Sequence, residues 1–236
     1  MKRRLLLLFV TLMGSAVAFA QTEAKQEAKQ DAQQEKKPTT IMAVGDSITE
    51  GSNAFESYTS PLSELLHEQG YKVEFIGPKS KTYRLGEVRN CGYSGRTVEF
   101  LESQIDKLYR LYPADIVLLH AAHNHFADQN PVEGMIEAHR SLIEKILAIN
   151  PDAQIVVAQA ITSGKLPKYS YIPALNKALK RMVREFSSKN VSLVNQAKGF
   201  DWQIHTMPDK VHPNKAGAQH MAQCWMKSLR RILPRP

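Results

Sequence analysis

Residues 40–51 read TIMAVGDSITEG, a short apolar run that ends in a Gly-Asp-Ser turn. The run TIMAV (40–44) is mostly apolar and does not alternate with polar residues, as expected of a strand buried on both faces. Four similar runs follow: KVEFIG (72–77), DIVLLHA (115–121), QIVVAQA (154–160) and VSLVN (191–195). Between them, apolar side chains recur at helical spacing. Residues 132–149 carry Val132, Met135, Ile136, Leu142, Ile143, Ile146 and Leu147, and residues 172–186 carry Ile172, Leu175, Leu179, Met182, Val183 and Phe186. Further helices are expected at 60–69, 97–111 and 214–232. Five βα units predict an α/β fold: a parallel sheet wound right-handed, with helices on both faces. In such a sheet, chemistry collects in the loops at the carboxyl ends of the strands.

The chain of 236 residues is 43% hydrophobic, with 12 glycines and 12 prolines, enough for one sizeable domain. Its start has the form of an export signal. Lys2, Arg3 and Arg4 precede the apolar LLLLFVTLM, and Ala18-Phe19-Ala20 fits a cleavage site, so residues 1–20 are expected to be removed. A retained membrane anchor is the alternative, but Gly14 and Ser15 interrupt the apolar stretch and no basic flank follows it. With no cysteine near the cleavage site, lipoprotein attachment is excluded. Residues 21–39 form a Gln-, Ala-, Lys- and Glu-rich linker that cannot bury a core, which leaves 40–236 as the folded domain. The expected location is therefore periplasmic or secreted, with no stable membrane insertion after cleavage.

The whole chain carries a net charge of +8. Residues 1–20 hold three basic and no acidic residues, so the remainder has 28 Lys plus Arg against 23 Asp plus Glu, a net of +5. That charge is too mild and dispersed to imply nucleic acid. The basic end (Lys227, Arg230, Arg231, Arg235) reads as a solvated helix terminus. Cys91 and Cys224 permit one disulfide in an oxidising compartment or stand as two buried thiols, and their separation forbids a metal finger. The sequence carries no signal for an oligomeric state.

Ser47 sits where the first strand turns into a helix. Its hydroxyl there is either exposed as a nucleophile or, like Asp46, serves as a helix cap. A nucleophile needs a base, and MPDKVHPNKAG (207–217) offers Asp209 and His212 just before the last helix. The carboxylate can take the imidazole Nδ1–H and leave Nε2 for the Ser47 proton. Either turn alone has a bland reading as a cap; both at opposite ends of one α/β domain point to a Ser-His-Asp triad.

The segments GDSITEG and DKVHPNKAG resemble the first and last motif blocks of the SGNH/GDSL hydrolases. That resemblance implies a three-layer α/β/α sandwich with a flavodoxin-like five-stranded parallel sheet, and a carboxylic ester hydrolase that needs no cofactor or metal. It also implies an oxyanion hole built from the Ser47 N–H, the backbone of Gly95 in NCGYSGRT (90–97), with Gly92 as the fallback, and the side-chain amide of Asn124. The third block departs from the family pattern: Ala122 stands for its glycine and His125 for its aspartate. The motifs look most like those of the small carbohydrate-esterase branches such as acetylxylan esterases, so the expected partner is a small-molecule or glycan ester. Longer acyl esters, as for lipases or thioesterases, are the rival. A binding module with impaired catalysis is the reading from another class. Asp46, Tyr93, Arg96, His123, His125, Phe126 and Trp202 are candidate substrate contacts.

LLHAAHNHF (118–126) admits two further readings. A zinc site on His120, His123 and His125 lacks any acidic or Cys ligand within the block. A nuclease motif would spread its residues over a ββα unit and bring a basic stripe, and neither is present.

Overall fold

The computed structural model describes residues 37–186 and 190–235. The expected signal segment and nearly all of the linker lie outside the described residues. The compact unit that contains the sheet runs from Pro38. Its elements, in order, are β1 (Thr39–Gly45), α1 (Ser47–Glu50), α2 (Thr59–Glu68), β2 (Val73–Phe75), β3 (Lys79–Tyr83), β4 (Gly86–Gly92), α3 (Val98–Leu111), β5 (Ile116–His120), α4 (Val132–Ile149), β6 (Gln154–Gln159), α5 (Ile172–Glu185), β7 (Val191–Asn195), α6 (Trp202–His205) and α7 (Lys215–Leu229).

The fold is an α/β sandwich around a mostly parallel sheet in the order β3-β4-β1-β5-β6-β7, with β2 also paired to β1. The expected five parallel positions become seven strands for two reasons. First, one position beside β1 is shared: β2 pairs with Thr39–Ile41, and β4 takes over at Val44 and Gly45. Second, β3 and β4 form an antiparallel hairpin in which Tyr83 faces Gly86 across the two-residue turn Arg84-Leu85. The hairpin escaped the sequence reading because KSKTY lies at the sheet edge, is polar and half exposed, and its turn lacks the Asn-Gly or Asp-Gly signature.

Side chains of each strand alternate between the two faces. Met42, Val44, Val117, Leu119, Ile155 and Val157 pack under α3, α4 and α5, with Leu101, Ile105, Leu142, Ile146, Leu175 and Leu179 opposite them. Ile41, Ile116, Leu118, Val156 and Ala158 face α2 and α7, against Leu62, Leu66, Met221, Trp225 and Leu229. Each such fully buried Leu or Ile stabilises by roughly 1.5–3 kcal/mol relative to exposure. A charge at Leu118, central on the central strand, would therefore unseat one whole layer. Cys91 belongs to the first layer and Cys224 packs against the second; both are free thiols. No helix among the described residues is long and apolar enough to cross a membrane.

Candidate active site

The carboxyl ends of β1, β4 and β5 converge with the loop before α7. At the end of β1 the chain turns directly into α1. Gly45 is required there because a Cβ would come within 2.3 Å of the His120 carbonyl oxygen and 2.2 Å of Thr49 Oγ1. Asp46 caps the helix, accepting from Ile48 N at 3.0 Å. Ser47 follows as the first helical residue, half-buried. Its N–H has no partner among the described residues, as expected of a helix's first turn.

The candidate base, His212, arrives on the opposite wall. The loop 206–214 is pinned by Asn214, whose Oδ1 accepts from Gly217 N at 3.0 Å while Nδ2 donates to the carbonyls of Ile204 and Thr206. Lys210 takes a left-handed φ of 61°, and its carbonyl is held by Gly164 N and Ser163 Oγ. The loop delivers His212 Nε2 to 2.9 Å from Ser47 Oγ, and Asp209 Oδ2 to 2.5 Å from His212 Nδ1. Asp209 Oδ1 also accepts the backbone N–H groups of Val211 and His212. Partial burial pushes the Asp209 carboxyl up, but the His212 bond and those two amides outweigh it and hold it below the usual range. Phe55 stacks on the His212 ring at 4.3 Å between centroids and restricts its tilt.

Two loops complete the site. Gly95 lies just beyond β4 with φ 73°, a conformation that favours glycine, and its N–H has no partner among the described residues. The fallback, Gly92, is displaced from this role: its N–H goes to Asn90 Oδ1 at 2.9 Å. Beyond β5, Asn124 takes φ 75°, and its Nδ2 donates to the Arg96 carbonyl at 3.0 Å. One hydrogen of that amide remains available. Both loops are rooted in the segment that carries Ser47. Glu50 Oε2 accepts Ser94 N at 2.6 Å while Oε1 meets Lys79 Nζ, and Asp46 Oδ2 accepts His123 N at 3.3 Å.

The departures at Ala122 and His125 have a structural explanation. The left-handed residue of the third block is Asn124, a type that tolerates this region; Ala122 is buried with an ordinary φ, and its carbonyl accepts from Tyr171 Oη at 2.9 Å. A methyl group therefore costs nothing there. His125 turns to Glu99 at the start of α3, with Nε2 at 3.0 and 3.1 Å from the carboxylate oxygens.

Several expected substrate contacts are corrected by burial. Asp46 is 1% exposed and His123 2%, so both lie beneath the site rather than on its wall. The His123 imidazole is 3.7 Å from Asp46, beyond direct hydrogen bonding. Burial pushes the Asp46 carboxyl up, but the imidazoles of His123 and His120 and the Ile48 amide bring it below its ordinary value. Tyr93 is packed between Lys79 (4.4 Å) and Phe100 (5.5 Å), and His125 is occupied by Glu99. Arg96 is exposed over Phe100 and Phe126 is exposed beneath Lys168, so both remain reachable. Trp202 packs against Gly164 and, with Leu166, Tyr169, Phe200 and Pro173, lines a neighbouring apolar cavity of about 480 Å³. The three histidines do not converge: His120 and His123 stack 6.0 Å apart while His125 leaves for Glu99. No group of three metal-ligating side chains exists among the described residues.

The sequence matches the family model of the GDSL-like lipase/acylhydrolase family over residues 43–220, most of the described chain. The chain belongs to that family. Among its relatives, this GDSL-like protein is 26% identical over 223 residues to a multidomain esterase of Ruminococcus flavefaciens, covering 80% of this chain but only 28% of that one. The chain thus spans under a third of that relative's length. Its fold is similar to the Clostridium thermocellum family 3 carbohydrate esterase, at TM-score 0.72 and 24% identity over 84% of this chain and 100% of that one. A family 3 carbohydrate esterase from Talaromyces cellulolyticus gives TM-score 0.71 and 21% identity over 82% and 97%. Motif reading within the GDSL-like family missed Phe55, Glu99 and Tyr171, which lie outside the quoted blocks and act through other residues, and it assigned no role to Glu50 although that residue lies within GDSITEG.

Proposed function

We propose that the protein is an exported serine esterase that removes O-acetyl groups from carbohydrates. Ser47 attacks the ester carbonyl, and His212 takes its proton and passes it to the departing alcohol. Asp209 orients the imidazole and stabilises its charged form. The N–H groups of Ser47 and Gly95 and the Asn124 amide receive the oxyanion, each worth roughly 3–4 kcal/mol in the transition state. Water, activated by His212, then releases acetate from Ser47. The observation that carries this reading is the unbroken line from Ser47 Oγ through His212 to Asp209, at 2.9 and 2.5 Å, beside two unpaired backbone donors.

The carbohydrate assignment draws on the family 3 carbohydrate esterase neighbours, and export on the basic and apolar start with its Ala-Phe-Ala site. The test is release of p-nitrophenol from the acetate ester and of acetate from acetylated xylan, with loss of both in Ser47→Ala. A wild type as slow as Ser47→Ala returns the protein to a binding module. N-terminal sequencing of the exported protein should begin at Gln21.

The apolar cavity beside Tyr169 favours a second reading, hydrolysis of longer acyl esters. A higher kcat/KM on p-nitrophenyl octanoate than on the acetate would select it.

A further inference from the structure

The loop 51–55 has two sides. Phe55 lies on the His212 ring, while Ser52 and Asn53 face away into a cleft of about 590 Å³ between the end of α1 and the edge strand β3. A tight turn, Ser52 N to the Phe55 carbonyl at 3.0 Å, joins the two sides. Glu50, Lys79, Lys81 and Asn90 complete the cleft wall.

Donors dominate this cleft. Lys79 and Lys81 are alternate residues of β3 and so project on one side of the sheet. Lys79 Nζ meets Glu50 at 2.6 Å, and Lys81 Nζ donates to the Ser52 carbonyl. Each ammonium has three hydrogens and retains donors beyond these bonds. Asn90, paired with Lys79 across the hairpin, is 1% exposed; its Oδ1 is taken by Gly92 N, and its amide nitrogen has no partner among the described residues. Both oxygens of Glu50, the one acid in the wall, are already engaged, by Lys79 and by Ser94 N. Two cations against one anion leave the cleft with a positive excess and unused hydrogen-bond donors. Lysines on an edge strand also discourage strand pairing, but that role asks nothing of a buried Asn90 with a free amide.

The cleft is close to the reacting centre. Ser47 and Gly51 stand at the two ends of α1, about 6 Å apart along a helix axis, roughly one pyranose ring. Glu50 joins the cleft to the Gly95 loop through Ser94 N.

We propose that this cleft is a subsite for a carboxylate carried by the sugar, so that the preferred substrate is an O-acetylated acidic sugar rather than a neutral one. The assignment rests on the ester-hydrolase reading above and narrows its substrate class. The carboxylate meets Lys81, Lys79 and the Asn90 amide, while the acetyl ester on the same ring or its neighbour reaches Ser47.

The test is calorimetric binding to the full chain carrying Ser47→Ala, with glucuronate, the methyl ester of glucuronic acid, and xylose as probes. Glucuronate is expected to bind at least about tenfold tighter than its methyl ester, the size of one charge-assisted hydrogen bond, and the advantage should shrink with added salt. Lys81→Gln should abolish the preference and Lys81→Arg restore it. Equal affinity for the acid and its methyl ester overturns the subsite, as does a preference that survives Lys81→Gln. Binding needs no turnover, so a failure of the esterase reading appears separately, as absent p-nitrophenyl acetate hydrolysis by the wild type.

Discussion

Two imidazole–carboxylate pairs stand on either side of Ser47, and they are built in opposite ways. In the outer pair, His212 and Asp209 are 2.5 Å apart and partly solvent-facing, with side-chain exposures of 26% and 42%. In the inner pair, His123 and Asp46 are 3.7 Å apart, with side-chain exposures of 1% each. The outer carboxylate holds a ring nitrogen, which leaves the other nitrogen on the Ser47 hydroxyl and open to exchange protons with water. The inner carboxylate spends its oxygens on backbone amides, Ile48 N and His123 N, so it fastens the nucleophile turn to the Asn124 loop. Similar side chains give the geometry the proposed proton relay needs where backbone support leaves the ring free to act, and a rivet where burial gives the carboxylate to the main chain.

The sharpest way to break this contrast is to disable the outer pair. His212→Ala should lower kcat on p-nitrophenyl acetate by about 10⁴-fold or more, and Asp209→Asn by about 10³–10⁴-fold through loss of ring orientation, with thermal midpoints near the wild type. A residual rate within tenfold of wild type for His212→Ala would remove the relay from the reaction.

Disabling the inner pair should show mainly as stability. In Asp46→Asn, one of the two backbone N–H groups loses its acceptor, because the amide offers a single oxygen where the carboxylate had two. A loss of about 1–3 kcal/mol in urea unfolding is expected. A fall of about tenfold in kcat should accompany it as the Asn124 loop loosens. If Asp46→Asn proves as stable as wild type but inactive, the inner pair is a second relay and the contrast fails.

This contrast also marks where the sequence was legible. The five parallel positions were readable because double-sided burial leaves apolar runs such as DIVLLHA, and the outer pair because Asp209, His212 and Ser47 sit in recognisable turns. The β3–β4 hairpin was not readable, since an edge strand owes its place to pairing rather than to apolar burial. Nor was the inner pair, because Asp46 and His123 are 77 residues apart and meet only when β1 and β5 lie side by side. The third block departs from the family pattern at Ala122 and His125, yet its left-handed backbone position is at Asn124, which the sequence keeps.

His120 extends the inner region and should show in acid. It is fully buried with no hydrogen-bond partner for either ring nitrogen among the described residues, and burial holds its pKa down at about 4. Between pH 6.5 and 4 the unfolded chain takes up a proton there that the folded chain refuses, so stability falls as pH falls through that window. His120→Phe removes the uptake. At pH 5.5, urea unfolding should show the variant losing about 1 kcal/mol less than wild type relative to pH 7.5. Parallel losses in the two proteins would mean that His120 is charged in the fold.

The smallest effect belongs to the third pair, His125 and Glu99, which supports Asn124 from the other side. Burial pushes the Glu99 carboxyl up, but the bonds from His125 and the start of α3 bring it down to about 2. Because the folded value lies below the ordinary 4.5, the stability it contributes is fully present above about pH 4.5 and is lost as pH falls toward 2. With the Glu99 side chain 45% exposed, solvent screens the pair, and Glu99→Gln should cost no more than about 1 kcal/mol at neutral pH, less at high salt. By the same magnitude kcat should drop by no more than about fivefold. A larger fall, with stability intact, would show that the Asn124 donor is held chiefly by this half-exposed pair rather than by the buried Asp46. The rivet would then sit on the surface, and the buried carboxylate would need another reason for its place under Ser47.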